Sequence, residues 1–159
     1  MTSDRAPRDT HESGASPLDP GAAGRTRAEC FEALNTLAGM LRRHIEDVGS
    51  RLGVTGPQAR VLLSLAEPAR MQAVADATSC EPSHLSGVAA QLEERGLVAR
   101  DVDPHDRRAR SLALTPEGSR LRSRLLTDLV ATAPVLRDLD DVGAATLLDL
   151  LRAGLPPAL

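Results

Sequence analysis

The sequence predicts a mainly α-helical protein with one small β-hairpin. Three observations carry this. Apolar residues recur at steps of three and four through several segments, the spacing of one helix face. Pro, Gly and Thr mark the starts and stops of those segments. One short segment, Ala109-Arg-Ser-Leu-Ala-Leu114, alternates instead, as a strand does.

The elements follow in order. Residues 1–24 mix Pro, Gly, Ser, Thr and Asp without periodicity and read as a disordered arm. From Thr26 to Leu52, the residues Phe31, Leu34, Leu37, Leu41, Ile45, Val48 and Leu52 draw one stripe along a long helix. Such a helix is longer than a small core needs, so part of it is expected to meet a partner. Thr55-Gly-Pro-Gln58 has the pattern of a capping box and opens a second helix to about Ala66, burying Val61, Leu62 and Leu65. A third helix is expected over Gln72 to Ala77, with Val74 and Ala75 inward and Gln72 able to cap it. After the turn Thr78-Ser-Cys-Glu81, Pro82 opens a fourth helix to Arg95, with Leu85, Val88, Ala89 and Leu92 inward and Gly96 as its left-handed stop. Leu97–Arg100 and Ala109–Leu114 form the hairpin, with a long charged tip. Thr115-Pro116-Glu117 starts the next helix, which Pro134 ends. A last helix, capped by Asp140, runs to about Ala153.

Composition narrows the function. The chain has 159 residues, enough for one domain with a core. No apolar run reaches the roughly 18 residues of a membrane helix, and the N-terminus lacks the apolar core of a signal peptide, so a cytoplasmic location is expected. All 19 basic residues are Arg, Tyr and Trp are absent, and Phe31 is the only aromatic. Single-stranded nucleic-acid binding by stacking on rings is thereby nearly excluded. The net charge of -3 means that any polyanion site is a small Arg cluster rather than a broad basic face. Cys30 and Cys80 have no metal-ligand spacing and are expected to be reduced.

Short helix, short helix, tight turn, amphipathic helix, hairpin: this order is that of a winged helix-turn-helix. A helix fits the major groove, where each base pair shows a distinct pattern of donors and acceptors. The preceding helix braces it, and a hairpin can reach the neighbouring minor groove, whose potential attracts Arg. With its apolar residues inward, the fourth helix leaves Ser83, His84, Ser86, Gly87 and Gln91 outward, none of them acidic. Gln72 is placed to meet a phosphate. On the hairpin, Arg108 is assigned to the minor groove and Arg107 and Arg110 to phosphates. Asp106 supports them by holding a guanidinium in place, and Arg100 is expected to pair within the hairpin. Taken alone, the helix residues also fit a solvated face and the hairpin charges a surface ion-pair cluster.

The stretch Leu92–Gly118, LEERGLVARDVDPHDRRARSLALTPEG, resembles the MarR family of bacterial transcription regulators. The resemblance rests on Leu92, Glu93, Gly96, Leu97 and Val98, on Asp106 and Arg108, and on Leu114, Thr115 and Gly118, with Thr55, Gln58, Val74 and Ala75 upstream. Gly87 stands where many members carry a basic residue. The resemblance implies a homodimer built by the first helix (25–54) and the C-terminal helices (116–159), around a winged helix-turn-helix at 55–115. It implies a sequence-specific regulator, a repressor of neighbouring genes, that binds a near-palindromic operator on double-stranded DNA and is released by a small molecule. An anionic or phenolic effector would lie near Arg42, Arg43 and His44, which also fit a plain solvated face.

No catalytic residues, cofactor or metal site are expected: the sequence holds no nucleophile elbow, phosphate loop or paired-carboxylate site. Two alternatives stay open. One is a dimeric interaction protein that keeps the fold without DNA binding. The other is a thiol-based redox regulator, since Cys30-Phe31 resembles the peroxide-sensing branch of the family; that branch surrounds its thiol with tyrosine hydroxyls, which this chain lacks.

Overall fold

The computed structural model describes residues 20–103 and 106–155, with side chains described for 24–100 and 111–155. The elements are α1 (Pro20–Arg51), α2 (Gly56–Ser64), β1 (Ala69–Arg70), α3 (Met71–Thr78), α4 (Pro82–Glu94), β2 (Val98–Asp103), β3 (Asp106–Leu114), α5 (Pro116–Thr132) and α6 (Asp141–Gly154). The chain divides into a first unit, residues 1–35, and a second, residues 36–159. In the first unit, the described side chains from Gly24 to Asn35 are all exposed.

Helix α1 starts at Pro20, earlier than the expected Thr26, so the end of the expected arm is helical. Proline suits a first helical position and Ala22-Ala23 favour helix, which outweighs Gly21 and Gly24. Residues 1–19 of that arm lie outside the described residues.

In the second unit, α2 carries the predicted capping box. The Gln58 N–H donates to Thr55 Oγ1 at 3.4 Å, and the Thr55 N–H donates to Gln58 Oε1 at 3.1 Å. The helix ends at Ser64, ahead of Pro68. Two residues, Ala69 and Arg70, then form β1, which the sequence did not suggest because a two-residue strand shows no alternation. The sheet is three-stranded and antiparallel in the order β1-β3-β2, with Ala69 opposite Leu112.

Helix α3 is not capped by Gln72. Arg70 holds the N-cap position without a side-chain bond, while Gln72 Nε2 donates to Asp76 Oδ1 at 3.0 Å one turn on. Its C-terminus closes through Ser79, a non-glycine at φ 50°, whose N–H and that of Cys80 satisfy the carbonyls of Asp76 and Ala75. That left-handed residue makes the turn into α4 short.

The hairpin strands are longer than expected. They reach Asp103 and resume at Asp106, with a bulge between Val102 and Asp103, so Asp106, Arg107 and Arg108 belong to β3 rather than to a long tip. Gly96, at φ 68°, is the predicted stop of α4. The base of the hairpin is closed by Thr115. Its hydroxyl donates to the Gly96 carbonyl at 2.7 Å and accepts from the Gly118 N–H at 3.1 Å, so the α5 cap is also a crosslink. Pro134 follows the end of α5, and Asp140 caps α6 by accepting from the Gly143 N–H at 2.8 Å.

One hydrophobic core joins these pieces: Val48 of α1, Val61 and Leu62 of α2, Val74 of α3, Leu85, Ala89 and Leu92 of α4, Leu97, Leu112, and Leu125 of α5. The inward residues expected for α2, α3 and α4 are all buried, and α2 buries Gly56, Gln58 and Ala59 as well. The α1 stripe is different: Val48 is buried, while Phe31 is 68% and Leu34 49% exposed.

Two glycines make opposite predictions. A Cβ on Gly118 would lie 1.9 Å from the Leu97 carbonyl oxygen, whereas one on Gly87 meets nothing within 4 Å. Gly118→Ala should lower the unfolding free energy by about 3 kcal/mol, since backbone must move. Gly87→Ala should raise it by about 0.5–1 kcal/mol, the helix-propensity gain. Urea denaturation of both variants checks the pair.

Candidate nucleic-acid interface

The burial of Leu85, Val88, Ala89 and Leu92 fixes how α4 is rotated about its axis. The opposite side carries Ser83, His84, Ser86, Gly87 and Gln91, and all are exposed. With Thr55 and Pro57, the residues His84, Gly87, Val88 and Gln91 line a shallow groove of about 160 Å³. The first helical turns therefore present small, hydrogen-bonding side chains. Glu93 and Glu94 fall at the C-terminal end.

Two of these residues are tied down from behind. Gln58 is the buried polar side chain among the described residues, 6% exposed. Its Nε2 donates to Gln91 Oε1 at 3.0 Å, and its Oε1 also accepts from Arg95 Nη1 at 3.2 Å. The α2 capping residue thus reaches across to α4. Ser86 Oγ donates to the Pro82 carbonyl at 2.9 Å within its own helix. Gln58 was legible in the sequence as a cap; its bond to Gln91 depends on helix packing and was not.

Arg100 does not pair within the hairpin as expected. Its Nη2 donates to the Ser86 carbonyl at 2.9 Å, and its Nε lies 3.4 Å from Glu93 Oε2, so β2 is latched to α4. The side chain is long enough to cross to the adjacent helix, where a carboxylate and a carbonyl both await a donor. The backbones of Asp106, Arg107, Arg108 and Arg110 lie on β3, with Arg110 opposite Val102 and Asp106 opposite Asp103. Their side chains lie outside the described residues. Gln72 is exposed on α3 and lines a small hollow with Ser79, Cys80, Glu81 and Pro82, between α3 and the start of α4.

Residues 54–109, which span α2 through most of the hairpin, match the MarR family. Over 90 residues the chain is 32% identical to the transcriptional regulator HosA of Escherichia coli O111:H-, covering 55% of this chain. The matched stretch spans 62% of that curated relative, less than two thirds of its length. Among solved structures, a MarR family transcriptional regulator from Rhodococcus sp. RHA1 superposes with a TM-score of 0.67 at 27% identity, covering 80% of this chain and 92% of that one. CouR from Rhodococcus jostii RHA1, bound to p-coumaroyl-CoA, gives 0.61 at 28% identity, with the same coverage of 80% and 92%. HosA and the first Rhodococcus protein are transcriptional regulators, in agreement with the expectation that the chain is no enzyme.

Around the matched stretch, the residues expected to meet an effector separate. Arg42 and Arg43 are exposed on α1, whereas His44 is half-buried against α5. His44 Nε2 lies 3.1 Å from the Leu129 carbonyl, to which it donates, and 3.3 Å from Thr132 Oγ1. An adjoining hollow of about 350 Å³ is lined by Ile45, Arg60, Leu63, Ser64, Ala77 and Thr78, not by Arg42 or Arg43. Arg60 reaches Glu46 at 3.7 Å. It sits mid-helix with no motif around it, so no local pattern singles it out. Cys30 is exposed and Cys80 half-buried, and both are free thiols. Among the described residues, no group of His, Cys, Asp and Glu could hold a metal ion, and no helix is long and apolar enough to cross a membrane.

The dual role of Gln58 is open to measurement. Gln58→Leu removes the cap and the bridge to α4 together and should cost about 1–2 kcal/mol of stability. Gln58→Glu, which retains the cap and the partner Arg95, should keep most of that. Denaturant midpoints of the two variants, at equal slope, give the comparison.

Proposed function

We propose that this chain is a sequence-specific, double-stranded DNA-binding transcriptional regulator that represses neighbouring genes. It acts in the cytoplasm as a homodimer on a near-palindromic operator and lets go when a small molecule binds. The observation that carries the reading is the exposed, carboxylate-free face Ser83, His84, Ser86, Gly87 and Gln91, beside a hairpin latched to the same helix by Arg100. Such a face can approach base edges in the major groove. Arg108 enters the adjacent minor groove, Arg107 and Arg110 lie on phosphates with Asp106 in support, and Gln72 meets a phosphate from α3.

A second copy of the chain is the proposed cover for the apolar residues left in water. Phe31, Leu34 and Leu41 on α1, and Val142, Leu148, Leu150 and Leu155 at the C-terminal end, are too many to leave exposed at no cost. Residues 25–54 and 116–159 are the proposed dimerisation segments. A two-fold axis would set the two α4 helices about 34 Å apart, one turn of DNA. The effector is proposed to be small and anionic or phenolic, held by Arg42, Arg43 and His44 or by Arg60 in the adjoining hollow; CouR, bound to p-coumaroyl-CoA, supports a ligand-responsive member.

The test is binding of a labelled duplex from the chain's own gene neighbourhood across a salt series. The logarithm of affinity should fall with the logarithm of salt by about 0.9 per phosphate neutralised. Arg108→Ala should weaken binding and reduce that slope by about one, with little change in folding. Ser86→Glu should abolish binding by setting a carboxylate against the groove. Wild-type protein that binds no such duplex at low salt is instead the dimeric interaction protein.

A further inference from the structure

The protein interior dictates the polarity of one outward side chain on α4. The oxygen and nitrogen of a glutamine amide are alike in shape, so their placement follows from their partners. Gln58 comes first. One of its terminal atoms lies 3.1 Å from the Thr55 backbone nitrogen and 3.2 Å from Arg95 Nη1. A backbone N–H and a guanidinium only donate, so this atom is the oxygen. The other is the NH₂ group, which donates at 3.0 Å to Gln91. The atom of Gln91 facing it must accept, and is therefore Oε1. Two unambiguous donors thus settle both amides, and Gln91 turns its own NH₂ away from Gln58, on an exposed side chain.

We propose that Gln58 is a positioning residue that makes Gln91 a donor-only contact to DNA. The proposal rests on the DNA-binding reading above. The group met by Gln91 is then an acceptor: guanine O6 or N7, adenine N7, thymine O4, or a phosphate oxygen. An unrestrained glutamine pairs with adenine by accepting from N6 while donating to N7. With its oxygen turned back to Gln58 and its NH₂ outward, Gln91 meets adenine through N7 alone and forgoes the bond from N6, and the cytosine amino group, a donor, finds no outward acceptor.

Gln58→Glu inverts the arrangement without removing the cap. A glutamate keeps the acceptor roles toward the Thr55 N–H and Arg95, and Thr-x-x-Glu is itself a capping box. It has nothing to donate, so Gln91 must turn its NH₂ inward and its oxygen out. Selection of bound sequences from random duplex, followed by titration, compares the two proteins. If Gln91 reads a base, one operator position that rejects C by about fivefold or more in wild type accepts C and rejects G and T in the variant. If it meets a phosphate, affinity falls by about tenfold on all sequences alike. In a Gln91→Ala background, Gln58→Glu should change neither base preference nor affinity by more than about twofold, because the amide that it turns is gone.

Identical selection and affinity for wild type and Gln58→Glu overturns the proposal. So does a loss that Gln58→Glu causes as fully in the Gln91→Ala background, which would belong to the added charge. A second measurement needs no DNA: hydrogen exchange of the side-chain NH₂ groups by NMR, slow for Gln58 and fast for Gln91. The reverse order overturns the assigned polarity. Wild-type protein that selects no duplex overturns the DNA reading and the contact with it, while the exchange rates decide the polarity separately.

Discussion

A buried amide cannot be left without partners, and Gln58 meets that demand by joining two helices. Its oxygen takes the Thr55 N–H and an Arg95 donor; its NH₂ takes the Gln91 oxygen. Were any of these missing, a polar group taken out of water would cost about 1–3 kcal/mol. The start of α2 and the third turn of α4 are therefore set against each other by hydrogen bonds with direction, not only by the non-directional packing of Val61, Leu62, Ala89 and Leu92. The face that α4 shows to solvent follows from that registration. On the other flank, Arg100 performs a similar service for β2, although its partially exposed pair with Glu93 contributes less.

Much of the second unit could be read from the sequence because its signals are local. Thr55 with Gln58, Thr115 with Pro116, and Asp140 each announce a helix through bonds that span three residues. The apolar spacing of Leu85, Val88 and Leu92 then fixes which side of α4 is inward, and hence which five residues are outward. What escaped depends on distance along the chain. Gln58 and Gln91 are 33 residues apart and Arg100 lies 14 residues beyond Ser86, so no local pattern links them. Strand β1 is too short to show a period, and Ser79 adopts a left-handed conformation usually left to glycine or asparagine. Gln72 falls inside α3 rather than at its cap position, because the helix already starts at Met71, and its amide bonds to Asp76 one turn on.

The apolar stripe of α1 shows the limit of periodicity as a guide to burial. Its spacing is regular from Phe31 to Leu52, yet Val48 is fully buried while Phe31 remains largely in water. Periodicity reports that a face is meant to be covered; it does not name the cover. Helix α6 repeats the lesson, for its apolar side is evident and none of its residues is buried.

The contact of Gly118 with the Leu97 carbonyl limits how α5 can respond to anything that pushes on it. Close-packed backbone has no slack, so an axial slip of α5 toward the sheet is blocked at that point. The Thr115 hydroxyl, bonded both to Gly96 and to Gly118, opposes separation in the other direction. The end of α5 opposite His44 is thereby tied, through Gly118 and Thr115, to the corner between α4 and β2.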